Sequence, residues 1–284
     1  VFNSIETQRG EAESLTVAAV HQLTYNKSSY LPDSLNRQLG LKSQYLLSNI
    51  TQLITNYQLH EKFSLQANVP FITRNYRRIQ GGHTNQTSSV AGVGDISILV
   101  NYFPVRTLSE DWVLDTQLFA GVKLATGNAS KLREELDEVL AIVQGRPLNT
   151  GSLVGGDDLA LGTGSIDTVV GTGFLVRYAR YFLSANLQYN FRNEGSFDYE
   201  FGDDFQWNIG PAYYIILDHK QTLAARLRFS GEYKQTDEIL GVTIPGSDER
   251  TMFIGPEFVY TRDKRWHGQL SFELPIERES SRTQ

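Results

Sequence analysis

The chain has 284 residues, of which 40% are hydrophobic, 20% charged and 11% aromatic, with 24 Gly, one Met and no Cys. Without a thiol there is no disulfide framework and no cysteine metal site, and no apolar run reaches the roughly 18 residues a membrane-spanning helix needs. The net charge of −6, with a pI near 5.4, lacks the basic stripe of a nucleic-acid binder, so no nucleic-acid partner is expected. The chain carries 15 Phe, 14 Tyr and 3 Trp yet has a mean hydropathy of −0.31. That combination arises when apolar and polar residues alternate.

Residues 1–13 read as a polar N-terminal segment. From there period two dominates. Strands are expected at 14–27, 44–58, 63–77, 93–105, 112–126, 166–178, 181–193, 205–217, 222–235, 250–261 and 265–276. In the seventh, Tyr181, Leu183, Ala185, Leu187, Tyr189 and Phe191 share one face, and Phe182, Ser184, Asn186, Gln188 and Asn190 the other. In the ninth, Leu223, Ala225, Leu227 and Phe229 oppose Arg226, Arg228, Ser230, Glu232 and Lys234. The segments run about ten residues or more, against five or six for an ordinary soluble strand.

The links alternate in length. Short ones fall at 59–62, 106–111, 179–180, 218–221 and 262–264; long ones at 28–43, 78–92, 127–165, 194–204 and 236–249. Short turns at one end and long loops at the other describe an up-and-down barrel of the outer membrane, with the short turns and residues 1–13 in the periplasm. Aromatics gather beside the short links: Tyr57 and Phe63, Tyr102 and Trp112, Tyr178 and Tyr181, Tyr260 and Trp266. Rings with a polar tip suit the membrane–water boundary. Such barrels usually have an even strand count, so twelve strands are expected in a single all-β antiparallel domain. Eleven are evident, residues 277–284 read as loop, and the twelfth is expected beyond Gln284, or else a first pairing is missing elsewhere.

The long 127–165 link contains a helical stretch from Ser130 to Val143. Leu132, Leu136, Val139, Leu140 and Val143 form one stripe, Asn128 or Ser130 can cap the start, and Gly145 and Pro147 end it. Leu132, Leu136 and Leu140 are the expected contacts of a helix packed on its own barrel, narrowing or covering its mouth, or docking a partner.

With the apolar faces toward lipid, the groups expected to point into the lumen are Asp95, Asp115, Lys123, Arg177, Arg226, Arg228, Glu232, Lys234, Glu257, His267 and Glu273. Arg226 and Arg228 make a positive patch favouring anionic or phenolate solutes, or they pair with Glu232 or Glu257. Asp157, Asp158, Asp203 and Asp204 read as solvated acids rather than a Ca²⁺ site. His21, His60, His83, His219 and His267 show no metal spacing, and no GxxxxGK[ST] loop is present. His267 and Ser271 lie about 13 Å apart along one strand face, too far for proton transfer. No cofactor, metal or enzymatic activity is expected.

Four stretches carry a family resemblance: Gly92-Val-Gly-Asp95 with Ile96, Ile98 and Tyr102; Gly121-Val-Lys-Leu-Ala-Thr-Gly127; Leu161-Gly-Thr-Gly-Ser165 with Asp167; and Phe201-Gly-Asp203 with Asn208, Gly210 and Tyr213. Ala125 and Leu161 stand where proline is usual. The chain resembles the outer-membrane proteins labelled as transporters of the meta-pathway of phenol degradation. The resemblance implies a barrel and the movement of small molecules. Two functions follow as expectations: a channel for small solutes, anionic or aromatic, in a Gram-negative outer membrane; or a plugged, docking barrel within a larger envelope complex. The partners expected are membrane lipid, lipopolysaccharide, small solutes and, for the second reading, an envelope protein.

Overall fold

A computed structural model describes residues 13–28, 44–80, 84–109, 111–145, 154–263 and 265–280. Its elements in chain order are β1 (Leu15–Ser28), β2 (Gln44–His60), β3 (Phe63–Gln80), β4 (Thr84–Val93), β5 (Ser97–Tyr102), β6 (Arg106–Leu108), β7 (Trp112–Lys123), α1 (Leu132–Val143), α2 (Gly156–Leu159), β8 (Asp167–Tyr178), β9 (Tyr181–Phe191), β10 (Tyr199–Glu200), β11 (Asp204–Leu217), β12 (Gln221–Lys234), β13 (Glu238–Ile239), β14 (Val242–Thr243), β15 (Glu249–Arg262), β16 (Trp266–Ser271) and β17 (Leu274–Ser280). The main sheet follows the path β1-β2-β3-β5-β7-β8-β9-β11-β12-β15-β16, and every pairing in it is antiparallel. Consecutive strands are therefore neighbours, the connectivity of an up-and-down barrel.

β4 and β5 are two parts of one strand. Both pair with β3, Val93 opposite Phe71 and Ser97 opposite Asn68. β16 and β17 likewise share β15, with the break at Phe272-Glu273. Counted this way, eleven strands lie among the described residues. The expected twelfth strand and most of the expected N-terminal segment fall outside them.

Two expectations are corrected. Residues 78–80 and 84–92 are not loop: β3 continues to Gln80, β4 starts at Thr84, and the two pair antiparallel from Gln80–Thr84 to Phe71–Val93. Residues 277–280 are not loop either, because Glu277, Glu279 and Ser280 pair with Met252, Arg250 and Glu249 of β15. Their polar side chains hid the strand, yet an adjoining template supplies backbone partners whatever the side chains are. Residues 281–284 lie outside the described set.

Burial is inverted relative to a water-soluble sheet. On β9, Ser184, Asn186, Gln188 and Asn190 are buried while Leu183, Leu187 and Phe191 are exposed. On β3, Ser64, Gln66 and Asn68 are buried while Phe63, Leu65 and Phe71 are exposed. A contiguous apolar exterior over most strands is far larger than the patches a soluble monomer shows in water. It is the surface hydrocarbon requires. Near the short turns the exterior becomes aromatic: Phe63 stacks on Tyr102 at 4.9 Å, and Tyr181 meets Tyr213 at 5.0 Å.

α1 starts two residues later than expected. Asn128 Oδ1 accepts the Ser130 amide at 2.9 Å, and Ala129 carbonyl accepts the Leu132 amide at 2.9 Å. Glu134 and Glu135 in the first turn suit the positive end of the helix dipole. Gly145 follows with φ +62°, the left-handed geometry that stops a helix.

Candidate functional site: the inner face of the barrel

The inward positions divide by chemistry. From β2 to β7 they are mainly uncharged. Gln66 Nε2 donates to Asn68 Oδ1 at 2.8 Å. Gln117 Nε2 donates to Asn101 Oδ1 at 2.8 Å, and Asn101 Nδ2 donates to Ser64 Oγ at 3.0 Å. An amide presents both a donor and an acceptor, so such a ladder satisfies itself without net charge. Sequence reading passed over these amides because it sought charges; the period-two pattern already placed them on the inner face.

From β11 to β17 the inner face is ionic. Glu257 is fully buried and takes Arg226 Nη1 on Oε1 and Arg228 Nη1 on Oε2, each at 3.2 Å. Gln269 Nε2 adds a bond to Glu257 Oε2 at 2.9 Å. Arg228 Nε also meets Glu273 Oε1 at 2.9 Å, and Ser230 Oγ donates to Glu273 Oε2 at 3.1 Å. Register explains the focus: Arg226 sits opposite Glu257 on β12 and β15. The expected positive patch is thereby neutralised, two arginines against two glutamates. Glu232 is not their partner, and accepts Gln206 Nε2 at 3.1 Å instead.

A third group rims the long-loop end. Lys123 Nζ lies 2.6 Å from Asp167 and 3.5 Å from Asp95. Arg192 bridges Asp167, at 3.0 Å, and Asp204. Four successive strand ends, β7, β8, β9 and β11, are stapled by alternating charge. Burial alone would lower the Arg192 pKa, but Asp204 and Asp167 outweigh it and raise the guanidinium further. The expected solvated acids are engaged: Asp203 accepts the Tyr189 hydroxyl at 3.0 Å and the Arg192 amide at 2.7 Å.

Asp95, in the break between β4 and β5, accepts the amides of Gly127 and Thr163, each at 2.8 Å. These residues are the two stems of the 127–165 segment. The glycine motifs meet here. A Cβ on Gly127 would lie 2.6 Å from the Leu161 carbonyl oxygen, and one on Gly162 would lie 2.5 Å from Asp95 Oδ1. Only glycine permits that approach.

The remaining expected residues are dispersed. Asp115 lies 3.7 Å from Arg106 near a short turn, Arg177 donates to the Ala179 carbonyl at 3.3 Å, and Lys234 pairs with Asp237 at 2.7 Å. His267 Nδ1 is 2.8 Å from Thr261 Oγ1. Leu132 is fully buried, and Leu136 packs on the same cluster; Leu140 is half-buried.

A polar interior, an apolar exterior and up-and-down antiparallel connectivity define a membrane β-barrel protein. The chain belongs to the family described as "Putative MetA-pathway of phenol degradation", which matches residues 23–284. No curated protein sequence matches it. Among solved structures it is similar to the COG4313 outer membrane channel from Pseudomonas putida F1, with 14% identity, TM-score 0.59, and coverage of 97% of this chain and 94% of that one.

Proposed function

We propose that the chain is an outer-membrane channel of a Gram-negative bacterium that passes small solutes through its lumen without catalysing a reaction. The observation that carries this reading is the polar inner face at membrane depth. Hydrocarbon would never select buried Gln66, Asn101, Gln188 and Glu257, whereas a hydrated path does. The fold shared with a protein described as an outer membrane channel supports it. The short turns face the periplasm and the long loops the exterior, where lipid and lipopolysaccharide surround the apolar belt.

The pathway is lined by Asp115, Arg177, Arg226, Arg228, Glu232, Glu257 and Glu273, with Asp95, Lys123 and Lys234 at its outer rim. Pairing of Arg226 and Arg228 with glutamates removes the reason to favour anions, and the family's description makes hydroxyaromatic solutes the first to test. The helix carrying Leu132, Leu136 and Leu140 controls the mouth. Planar-bilayer recording tests the proposal: discrete conductance steps are expected, with altered ion selectivity in Glu257→Ala.

A second reading has its own observation. Gln66, Asn101 and Glu257 are each at 0% exposure, packing that suits a plugged barrel serving as the membrane-embedded subunit of an envelope complex. Silence in the bilayer from the parent and from Arg226→Ala and Glu257→Ala favours it and ends the channel reading.

A further inference from the structure

The outward face of β1, β2 and β3 changes character toward the long-loop end. On β1 the exposed side chains Leu15, Val17 and Leu23 lead up to exposed Tyr25. From Leu15 to Tyr25 the strand climbs about 34 Å, which is about 25 Å of membrane depth at a tilt of about 40°, the height of a barrel's apolar band. Tyr25 therefore stands at the boundary on the long-loop side, its ring 6.3 Å from that of Tyr45 on β2. Lys27 takes the next register position on the same row of β1, opposite Tyr45, and Tyr45 lies opposite Arg77 of β3.

Arg77 falls between buried Tyr76 and buried Arg78, so alternation turns it outward. The two adjacent arginines differ in their company. Arg78 is paired with Glu134 at 2.7 Å. Arg77 places Cζ 5.2 Å from the centre of the Tyr45 ring and Nε 3.4 Å from Thr87 Oγ1, and no carboxylate among the described residues pairs with it. Arg250 is the counterexample on the other side of the sheet. It too is exposed near the long-loop end, opposite Tyr233, but Glu277 neutralises it at 3.4 Å. A guanidinium held against a ring keeps a fork of N–H donors that matches a phosphate. With the long loops outward, this row faces the outer leaflet, whose lipopolysaccharide carries phosphates at its headgroup. Charge complementarity selects that occupant.

We propose that Tyr25, Tyr45 and Arg77, with Lys27 beside them in register, form a docking site for a phosphate of lipopolysaccharide on the outer wall of the barrel. The guanidinium takes the phosphate, and the tyrosine rings lie against the sugar and the first methylenes of an acyl chain. The inference rests on the orientation proposed above for the long loops, and its test separates the two.

Purified protein in detergent micelles is titrated with the phosphorylated lipid anchor of lipopolysaccharide, with binding read by native mass spectrometry. Arg77→Ala should raise Kd about tenfold, the factor for one charge-assisted contact. Arg77→Lys, which keeps the charge without the fork, should fall between. Arg250→Ala should leave Kd unchanged, and melting temperatures should match throughout. Dephosphorylating the lipid should weaken the parent as much as Arg77→Ala does and leave Arg77→Ala itself unaffected. Inorganic phosphate at equal concentration should leave the lipid bound; displacement by it overturns the proposal. The chain has no Cys and Val242, in the β12–β15 connection, is exposed, so a membrane-impermeant maleimide on intact cells should label Val242→Cys. Equal affinity of parent and Arg77→Ala with Val242→Cys labelled overturns the site and leaves the orientation standing. An unlabelled Val242→Cys overturns both.

Discussion

The two sides of the inner wall solve one problem in different ways. From β2 to β7 the buried polar groups at mid-strand are neutral amides and hydroxyls, bonded to neighbours on the same face, with the charges of Arg78, Asp95 and Lys123 kept to the long-loop end. From β11 to β17 they are charges, focused on Glu257 and tied across three strands. A neutral ladder tolerates the loss of one rung, because the orphaned amide has other partners within reach. A buried charge does not, because the ion left behind has lost its only adequate compensation. The contrast teaches that the ionic side fixes strand register, while the amide side supplies a polar surface.

The largest effect is therefore expected from Glu257→Ala, which takes the carboxylate from buried Arg226 and leaves Arg228 with Glu273 alone, and should cost about 3–5 kcal/mol by thermal melting in detergent micelles. A loss as small as that of an amide variant would erase the contrast. Asp95→Ala comes next, about 2–3 kcal/mol, since two backbone amides and Thr163 lose a charged acceptor. On the amide side Gln117→Ala should cost about 1 kcal/mol, and joint replacement of Gln117 and Asn101 by Leu about nothing.

The pH response sharpens the comparison at the mouth. Burial pushes the Glu134 pKa up, but hydrogen bonds from Arg78 and Lys131 outweigh it and hold the carboxyl below the ordinary glutamate range. A depressed carboxyl contributes stability above its unfolded pKa and loses it as pH falls through the folded value. The contribution of Glu134 to thermal stability in detergent micelles should thus match at about pH 7 and about pH 5 and fall only in stronger acid, a loss that Glu134→Gln should not show. At the bottom of the scale, Arg133→Ala should change stability by less than about 0.5 kcal/mol. Its pair with Asp137 spans 4.0 Å in full view of solvent.

Much of the barrel was legible from alternation. Period two assigns each strand residue a side, so Arg226, Glu257 and Lys123 are expected on the polar face by counting, and all three side chains are at most 12% exposed. What alternation omits is pairing across strands. Arg226 and Arg228 read as a positive patch because their partners are about 30 and 45 residues away, brought opposite only by the β12–β15 register and the bend at β16–β17. Arg78 and Arg192 escaped notice for the same reason, one hidden in an expected loop and the other just past a strand end.

The sequence by itself determined the class of fold, the side each residue faces, the helix in the longest loop and the glycines that mark its stems. These depend on local periodicity and on residue type. Tertiary structure alone decided which charges pair, where the glycine motifs meet, and which strands and loops α1 touches. Those depend on how far the sheet curls, and curling brings Arg78 of β3 and the Tyr199–Ile239 cluster of β10 and β13 to the same first turn of α1.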